Sequence, residues 1–482
     1  MTMRVAPIAL LSLLLATVPA SAEPFDRSAW IADFEQLRDA ITRQSPNLEW
    51  TAERGVDLPA LEQRARDRIA SAQDDAAARA ALERFVRAFA DGHMELVWPE
   101  PSAPSASAAP NVPTVRSTCA ELGYWSEPDD FAVGTRLPGF AEIGPEAGEV
   151  RAGIVSVGGQ KVGVLRIPLF APSDTVCAAA LKDLGLAPDS PCDEGCADKV
   201  SRRSDDIFLS GIADRLRALD RAGADVLLLD VAGNGGGNDS AVAVARMVGG
   251  ADLPSPEVAF VKSPRRAASL AATEQMIRAG PPSATAADRA VIAALAPALA
   301  QASKTATEPC DLSLLWQGKG AGCSNLVRGP FFAGGLTATD RPGVTRSGAW
   351  AEAVSSTVRF SFTPYRWQKP VMVLVDQNSA SSTELLAAML QDAGKALVIG
   401  APSQGSGCGW TMPREDVTLA NSGAMLLMPD CARFRKDGRN ELDGIEPDVL
   451  VGFRTYDTPQ QRVSRLLARL PAALEVVRGG KR

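Results

Sequence analysis

The 482-residue sequence predicts an α/β fold in which a unit of helices precedes a core built on parallel strands. Two continuously apolar runs, Asp225 to Val231 and Pro370 to Asp376, are typical of strands buried on both faces. Each run leads into a turn of small residues and then a helical pattern, and a third apolar run, Ala396 to Gly400, follows the second of these helices. Strand, helix and strand joined by short loops favour parallel pairing.

The N-terminus has the pattern of an export signal. Arg4 precedes an apolar run from Val5 to Val18, and Ala20-Ser21-Ala22 supplies the small residues of a cleavage site. Because the apolar run is shorter than the roughly 20 residues of a membrane-spanning helix, a signal peptide over residues 1–22 is preferred to a transmembrane anchor. We expect a periplasmic or secreted mature chain that begins near Glu23, without a later membrane span.

Residues 23–98 are predicted to form a small helical unit. Apolar residues recur at helical spacing in two stretches, Trp30, Phe34, Leu37 and Ile41, then Leu82, Phe85, Val86 and Phe89. Asp57 before Leu58-Pro59 marks the start of a middle helix. Residues 99–115 are rich in Pro, Ala and Ser and are predicted to be a linker.

Residues 116–455 are predicted to form the core of the protein. Gly153 to Phe170 indicates a hairpin turning at Gly158-Gly159, and a helix is expected from about Asp205 to Ala222. An Ala-rich helical stretch, 267–303, lies within an insertion at about residues 251–350. Residues 456–482 are predicted to be a C-terminal helix and tail.

All eight cysteines follow the proposed cleavage point, and an even number in an exported chain predicts disulfides. Sequence alone does not fix their connectivity, but short loops favour two pairs, Cys310 with Cys323 and Cys408 with Cys431. The other four would then pair among themselves, namely Cys119, Cys177, Cys192 and Cys196. Zinc at Cys192 and Cys196 is disfavoured, because no second ligand pair of matching spacing follows. We expect no metal and no cofactor.

The formal charge of −7 is spread through the chain, which has no basic stripe. Nucleic acid is therefore not an expected partner.

The segment from Asn378 to Glu384, which reads NSASSTE, separates the second buried strand from its helix. Small residues there allow a tight turn that can hold one hydroxyl at the positive end of the helix, where oxyanion charge is favoured. Serine and threonine also commonly cap helices, so the segment by itself favours a structural cap.

With its surroundings, this segment resembles the Ser-Ala-Ser-Ala-Ser-Glu signature of the tail-specific (C-terminal processing) protease family. Four further blocks follow the order of that family, at residues 163–167 (GVLRI), 230–237 (DVAGNGGG), 390–396 (LQDAGKA) and 444–448 (GIEPD). The resemblance covers roughly residues 153–455 and leaves the Ala-rich insertion unmatched. It implies a crotonase/Clp-protease-like ββα core and a serine peptidase.

Carried over residue by residue, the resemblance implies that Ser381 is the nucleophile. It also implies an oxyanion hole made by the backbone amides of Gly236 or Gly237 and of Ser382. Glycine lets a backbone amide approach a substrate closely, and fixed donors stabilise a tetrahedral intermediate. An ordinary flexible turn is the alternative for the glycines.

The chain departs from the family in its catalytic base. Many members have a lysine where this chain has Ser406, in the turn 403–407 (SQGSG), and serine is not a base at neutral pH. The branch that contains the tricorn core protease and retinoid-binding relatives uses a histidine. The single histidine here, His93, lies in an Asp-Gly-His turn similar to that of this branch.

Histidine suits this role because its ordinary pKa of about 6.5 lets it take and return a proton near neutrality. A surface or cap role is the alternative for His93. The resemblance makes Glu441 the residue that orients the histidine, with Asp443 or Glu446 as less favoured third members.

We therefore expect an exported serine endopeptidase that cleaves peptide or protein substrates through an acyl-enzyme on Ser381, with His93 as the base. About 60 residues separate Trp98 from Val162 and much of this stretch is linker, which is too short for the peptide-binding PDZ module of many members. The alternative is a catalytically inactive relative of the same fold that binds a ligand or protein, since the lysine is missing.

Overall fold

A computed structural model describes residues 25–99, 114–126, 129–144, 150–360, 365–411 and 416–479. The predicted signal peptide and most of the predicted linker, residues 100–113, lie outside these ranges. The α-helices are α1 (Arg27–Gln44), α2 (Leu48–Glu53), α3 (Leu58–Ser71), α4 (Asp75–Arg87), α5 (Val115–Glu121), α6 (Asp174–Asp183), α7 (Glu194–Arg221), α8 (Ser240–Gly249), α9 (Pro264–Ala279), α10 (Ala286–Thr305), α11 (Ala349–Val354), α12 (Ser382–Asp392) and α13 (Pro459–Gly479). The strands are β1 (Glu95–Val97), β2 (Ala141–Glu142), β3 (Arg151–Val157), β4 (Gln160–Arg166), β5 (Val226–Asp230), β6 (Glu257–Val261), β7 (Leu326–Val327), β8 (Val371–Val375), β9 (Leu397–Gly400), β10 (Val417–Thr418), β11 (Met425–Leu427), β12 (Cys431–Phe434) and β13 (Val449–Leu450).

A seven-stranded sheet lies at the centre of the molecule, in the order β13-β9-β8-β5-β4-β3-β2. The pairs from β13 to β4 are parallel, whereas β4-β3 and β3-β2 are antiparallel. All five residues of β5 and of β8 are buried, as expected for strands covered on both faces. The predicted α/β class, with a hairpin leading into parallel strands, is confirmed.

Two helices differ from the expected bounds for local reasons. Helix α7 begins at Glu194, well before the expected start, because Asp193 caps it by accepting the amide of Cys196. The Ala-rich stretch forms two helices, α9 and α10, because Gly280 adopts a φ of +69° and Pro281-Pro282 follows it.

The helices α1, α3 and α4 pack around Phe34, Phe85 and other buried apolar side chains. The same hydrophobic cluster includes residues far along the chain, among them Trp316 and Leu426. Trp316 stacks on Phe85 with ring centroids 6.0 Å apart. The N-terminal helices therefore share one hydrophobic core with segments 312–316 and 417–428.

Two small antiparallel sheets lie outside the central sheet, and the one that contains β1 attaches the N-terminal unit to the segment around β11. Strand β1 pairs with β11, which also pairs with β10, and β6 pairs with β12 and β7. All of these strands except β6 have only two to four residues, which is too short for hydrophobic alternation to identify them.

Four disulfides are present, Cys119–Cys177, Cys192–Cys196, Cys310–Cys323 and Cys408–Cys431. The two predicted pairs are confirmed, and the other four cysteines pair among themselves. Within the described part of the chain, no helix has the length and apolar character needed to cross a membrane. No group of three or more metal-ligating side chains occurs there either.

Candidate active site

The turn between β8 and α12 holds Ser381 in a backbone conformation that side chains rarely adopt, with φ 55° and ψ −115°. Its amide donates to Glu384 Oε2 at 2.9 Å, so the first turn of α12 closes on the serine. The preceding residue, Ala380, donates its amide to the carbonyl of Asn234 at 3.0 Å. The strained turn therefore directs one hydroxyl outward at the N-terminus of α12 and fixes it against the glycine turn after β5.

The structure brings His93 and Ser381 together, although 288 residues separate them in sequence. His93 Nε2 lies 3.0 Å from Ser381 Oγ. His93 Nδ1 lies 2.8 Å from the carbonyl oxygen of Ser406. A carbonyl oxygen only accepts, so Nδ1 must carry the hydrogen and Nε2 is left with a lone pair for the serine hydroxyl. This tautomer is the one a general base requires.

The Asp-Gly-His turn is itself held by a buried carboxylate. Asp91 Oδ1 accepts the amide of His93 at 2.9 Å, and Asp91 Oδ2 accepts from Asn47 Nδ2 at 3.0 Å. Asn440 Nδ2 donates to Asn47 Oδ1 at 2.8 Å, which connects the helical unit to the short helix that contains Glu441. Burial raises the pKa of Asp91 to about 7, although both hydrogen bonds oppose the shift.

The environment of His93 favours its neutral form. Burial lowers its pKa, the hydrogen bond to Ser406 opposes that change, and the charge of Arg433 lowers the pKa further. The ring also lies edge-on to Trp410, at 5.3 Å between centroids. A neutral imidazole can accept the serine proton at once.

Glu441 does not contact His93, which corrects the triad expected from the sequence. Its Oε2 accepts from Arg433 Nε, and its Oε1 has no hydrogen-bond partner among the described residues. Burial raises the pKa of Glu441, while Arg433 opposes that shift. The less favoured third members, Asp443 and Glu446, are exposed and do not bond the ring either. The carbonyl of Ser406 takes the position that a carboxylate was expected to fill.

Arg433, which sequence reasoning missed, ties Glu441 to both catalytic turns. Its Nη2 donates to the carbonyl oxygens of Ser381 and Gly407, each at 3.0 Å. The guanidinium therefore holds the nucleophile turn beside the turn that carries Ser406. No sequence motif marked Arg433, because it lies on β12, a strand that was itself not predicted.

Glu384 is a second residue that joins the two turns. It is fully buried and accepts the Ser381 amide, the Gly405 amide at 2.7 Å, the Ser406 amide at 2.9 Å and the Ser403 hydroxyl at 2.5 Å. A carboxylate with so many donors fixes its surroundings firmly. The serine-to-glutamate spacing of a capping box was the sequence signal that could have identified it.

The two glycines proposed for the oxyanion hole differ in whether the backbone amide already donates a hydrogen bond. The amide of Gly236 already donates to Asn234 Oδ1 at 2.9 Å. The amide of Gly237 bonds no group in the described ranges, and the Gly237 carbonyl accepts the Ser382 hydroxyl at 3.0 Å. Ser382 is the first residue of α12, so its own amide has no partner within the helix. Gly237 and Ser382 therefore supply the available pair of donors, and the Gly236 assignment is corrected.

Space around the Asp-Gly-His turn is restricted. A β-carbon placed on Gly92 would lie 2.3 Å from Ser406 Oγ, and one on Gly409 would lie 3.3 Å from His93 Nε2. The histidine turn thus fills the space next to position 406, where many members of the resembling family carry lysine.

The chain is similar to known proteins in sequence and in fold. A model of Peptidase family S41 matches residues 206–451. A Chlamydia pneumoniae protein is 32% identical over 101 residues, which are 20% of this chain and 16% of that protein. The chloroplast carboxyl-terminal-processing peptidase 3 of Arabidopsis thaliana is 35% identical over 82 residues, 17% of this chain and 15% of that peptidase. Each alignment thus spans less than a fifth of the curated relative.

Two solved structures share the fold over most of the chain. Mature CPAF superposes with a TM-score of 0.60 at 13% identity, covering 94% of this chain and 98% of the other. Mature CPAF complexed with lactacystin gives 0.59 at 14% identity, covering 94% and 99%.

Proposed function

The chain belongs to peptidase family S41, and from this premise we propose that it is a serine endopeptidase with Ser381 as nucleophile and His93 as general base. The observation that carries the proposal is the 3.0 Å separation of Ser381 Oγ and His93 Nε2, with Nδ1 bonded to a carbonyl. The histidine, in place of the lysine, supports our further proposal that the chain falls in the branch that resembles the tricorn core protease.

In the first half of the reaction, Ser381 Oγ attacks the carbonyl carbon of the scissile peptide bond while its proton passes to His93 Nε2. The negative oxygen of the tetrahedral intermediate accepts from the amides of Gly237 and Ser382. As the C–N bond breaks, the imidazolium returns the proton to the leaving amine. An acyl-enzyme and a new N-terminus result.

In the second half, water attacks the acyl carbon and gives a proton to His93 Nε2. The tetrahedral intermediate then collapses, the Ser381 oxygen leaves, and the imidazolium reprotonates it. The Ser406 carbonyl stabilises the imidazolium through Nδ1 in both halves. Arg433 and Glu441 act as positioning residues, because they hold the turns and do not reach the ring.

Active-site labelling with a fluorophosphonate, together with cleavage of a quenched peptide library, tests the proposal. We expect Ser381→Ala to abolish both signals and His93→Ala to reduce both by at least about 10³-fold, since a nucleophile and its general base act as a unit. Ser313→Ala, which removes an exposed hydroxyl, is the matched control and should retain both. Undiminished turnover by His93→Ala would remove the histidine from the mechanism.

The same experiment distinguishes the rival function. The inactive binding relative would be supported if the wild-type protein is not labelled by the fluorophosphonate and cleaves no peptide. It would also have to bind an apolar ligand or a protein stably. The combination of a lone pair on Nε2 and two available amides supports the enzyme.

We also propose that the protein is exported and acts in the periplasm or outside the cell. The positively charged and apolar start of the sequence and the four disulfides support this location. Mass spectrometry of protein recovered from the periplasm or medium should find an N-terminus near Glu23. Recovery of the uncleaved chain from the cytoplasm alone would contradict export.

A further inference from the structure

A cavity of about 560 Å³ lies outside the catalytic constellation described above. It is bounded by the end of α1, by the junction of β6 with α9, and by the segment before β12. Four basic residues line it, namely Arg43, Lys262, Arg265 and Arg266, against one acidic residue, Asp430. In a chain with a net charge of −7, this cavity is a local concentration of positive charge.

Asp430 does not neutralise the cavity, because its oxygens are already occupied. Arg266 Nη2 donates to Asp430 Oδ2 at 2.8 Å, and the Thr411 amide donates to Asp430 Oδ1 at 3.0 Å. The Thr411 hydroxyl also donates to Asp430 Oδ2 at 2.5 Å. Asp430 thus balances Arg266, and its hydrogen bonds do not extend to Lys262 or Arg43.

Lys262 is the most unusual of these cations. Its side chain is 14% exposed, and its Nζ lies 3.9 Å from the nearest carboxylate oxygen, that of Glu308. At that distance the pair makes no hydrogen bond, so a largely buried ammonium is incompletely compensated. Across the cavity, Arg43 has no carboxylate within 4.0 Å among the described residues. Both cations would gain charge-assisted hydrogen bonds from a carboxylate.

The cavity adjoins the active site on the side of His93. Thr411 on its rim follows Trp410, which contacts the His93 ring, and Asp430 donates its amide to the carbonyl of Gly409. Only Trp410 lies between Gly409 and Thr411, so the rim lies within roughly 7 Å of Gly409. The base that protonates the leaving amine sits on the leaving-group side of the scissile bond. The cavity therefore lies where the part of the substrate after that bond would extend.

We propose that this cavity is a specificity site for a carboxylate on the C-terminal side of the scissile bond. The inference rests on the proposed peptidase function. The carboxylate belongs either to an Asp or Glu side chain or to the free C-terminus of the substrate, and both present the same chemistry to Lys262 and Arg43.

Quenched peptides test the site. One series places Glu or its neutral isostere Gln at each of the first four positions after the cleaved bond, and a second compares free with amidated C-termini. The wild type should favour one acidic peptide over its neutral partner by about tenfold in kcat/KM, the size of one charge-assisted hydrogen bond. Preference within the first series identifies a side chain, and preference within the second identifies the C-terminus.

The double variant Arg43→Gln/Lys262→Gln should reduce that ratio to about one, whereas Arg64→Gln/Arg68→Gln should retain it. The second pair removes the same charge from exposed positions of α3 and controls for long-range electrostatics. An equal loss of preference in both double variants would overturn the site.

Binding to the Ser381→Ala protein separates this inference from the proposed function. Fluorescence anisotropy should show the same acidic preference in that background, and the preference should disappear when Arg43→Gln/Lys262→Gln is added. Selective binding without hydrolysis by wild type would retain the site and remove the peptidase. Equal affinity for acidic and neutral peptides would overturn the site even if cleavage occurs.

Discussion

At the scale of single residues, the backbone of Ser381 explains much of the site. Its positive φ is a conformation that costs about 1–3 kcal/mol in a residue with a side chain. The Ser381 amide donates to Glu384 and the Ala380 amide donates to the Asn234 carbonyl, and these two hydrogen bonds maintain the turn. Gly236 lies against this turn, since a β-carbon there would meet the Ser381 β-carbon at 2.7 Å. Gly236 is thus important because it has no side chain, although its amide already donates a hydrogen bond to Asn234.

Gly236→Ala should therefore reduce kcat/KM by at least about 10²-fold, because a displacement near 1 Å at the nucleophile costs that much. Its φ of +115° adds backbone strain. The matched control is Gly235→Ala, whose new methyl group would have no neighbour within 4 Å and whose φ is not positive. Steady-state kinetics of both variants provide the comparison, and equal activity would show that the close approach is unimportant.

The pH dependence of kcat/KM should reflect the neutral state of His93. Since burial and Arg433 lower the pKa of His93, activity should rise with pH through a midpoint below 6.5 and be lost as the imidazole is protonated. Asp91 also titrates, near 7, so the profile should be repeated with Asp91→Asn, which keeps an acceptor for the His93 amide. A midpoint that disappears in this variant would assign the titration to Asp91 instead.

Residue types predicted part of this site and could not predict the rest. The serine signature identified Ser381, and its status as the single histidine identified His93. The structure brings these two residues into contact. The partner of Nδ1 is a backbone carbonyl, which any residue could supply and which therefore leaves no mark in the sequence. The family resemblance implied Glu441 as that partner, but Glu441 bonds Arg433 instead, and this contact depends on the fold.

At the scale of elements, the long strands and helices were predictable because their patterns repeat over enough residues. Strands β5, β8 and β9 lie within one residue of their expected bounds at each end. The short strands β1, β10 and β11 were not predictable, although β1 fixes the segment that follows His93 against the core. Pairing across more than 300 residues has no local signal.

The loop from Ser403 to Thr411 is the element on which the base depends, and the Cys408–Cys431 disulfide fastens it to β12. Replacing both cysteines by serine should lower kcat/KM by about tenfold or more, because the Ser406 carbonyl loses its fixed position. The chain should also lose about 3 kcal/mol of stability, as expected for a loop of this length. The measurements are peptide turnover and urea unfolding.

Cys192→Ser/Cys196→Ser is the matched control, since that disulfide joins residues only four apart at the start of α7. It should leave turnover unchanged. If both double variants behaved alike, the loop would owe its position to Glu384 and Arg433 and not to the disulfide.

At the scale of the whole molecule, the helical unit shares one hydrophobic cluster with segments 312–316 and 417–428, so we expect the two parts to unfold together. Phe85 is 1% exposed and contacts Phe34, Phe89 and Trp316, the last from a distant segment. Composition and periodicity predicted the helices but not this shared core, because contacts between distant segments are not encoded in local patterns.

Phe85→Ala should destabilise the protein by about 3–5 kcal/mol, the usual cost of emptying a buried aromatic site. It should also reduce turnover, since the base is attached to this unit. Hydrogen exchange should show loss of protection in α1, α4 and β11 together. Val97→Ala, at a position 40% exposed, should change neither quantity, and loss of protection in α4 alone would show that the two parts unfold independently.

The distance along the chain between base and nucleophile has a consequence for biosynthesis. Synthesis produces His93 first and Ser381 only after 288 further residues, and the strand that pairs with β1 ends at Leu427. A chain that ends before Ser381 therefore contains the imidazole of His93 but not the serine hydroxyl. A chain that ends between Ser381 and Met425 contains both groups but not β11, the strand that pairs with β1. Under the proposed function, we therefore expect an unfinished polypeptide to lack peptidase activity until residues beyond Leu427 have been made.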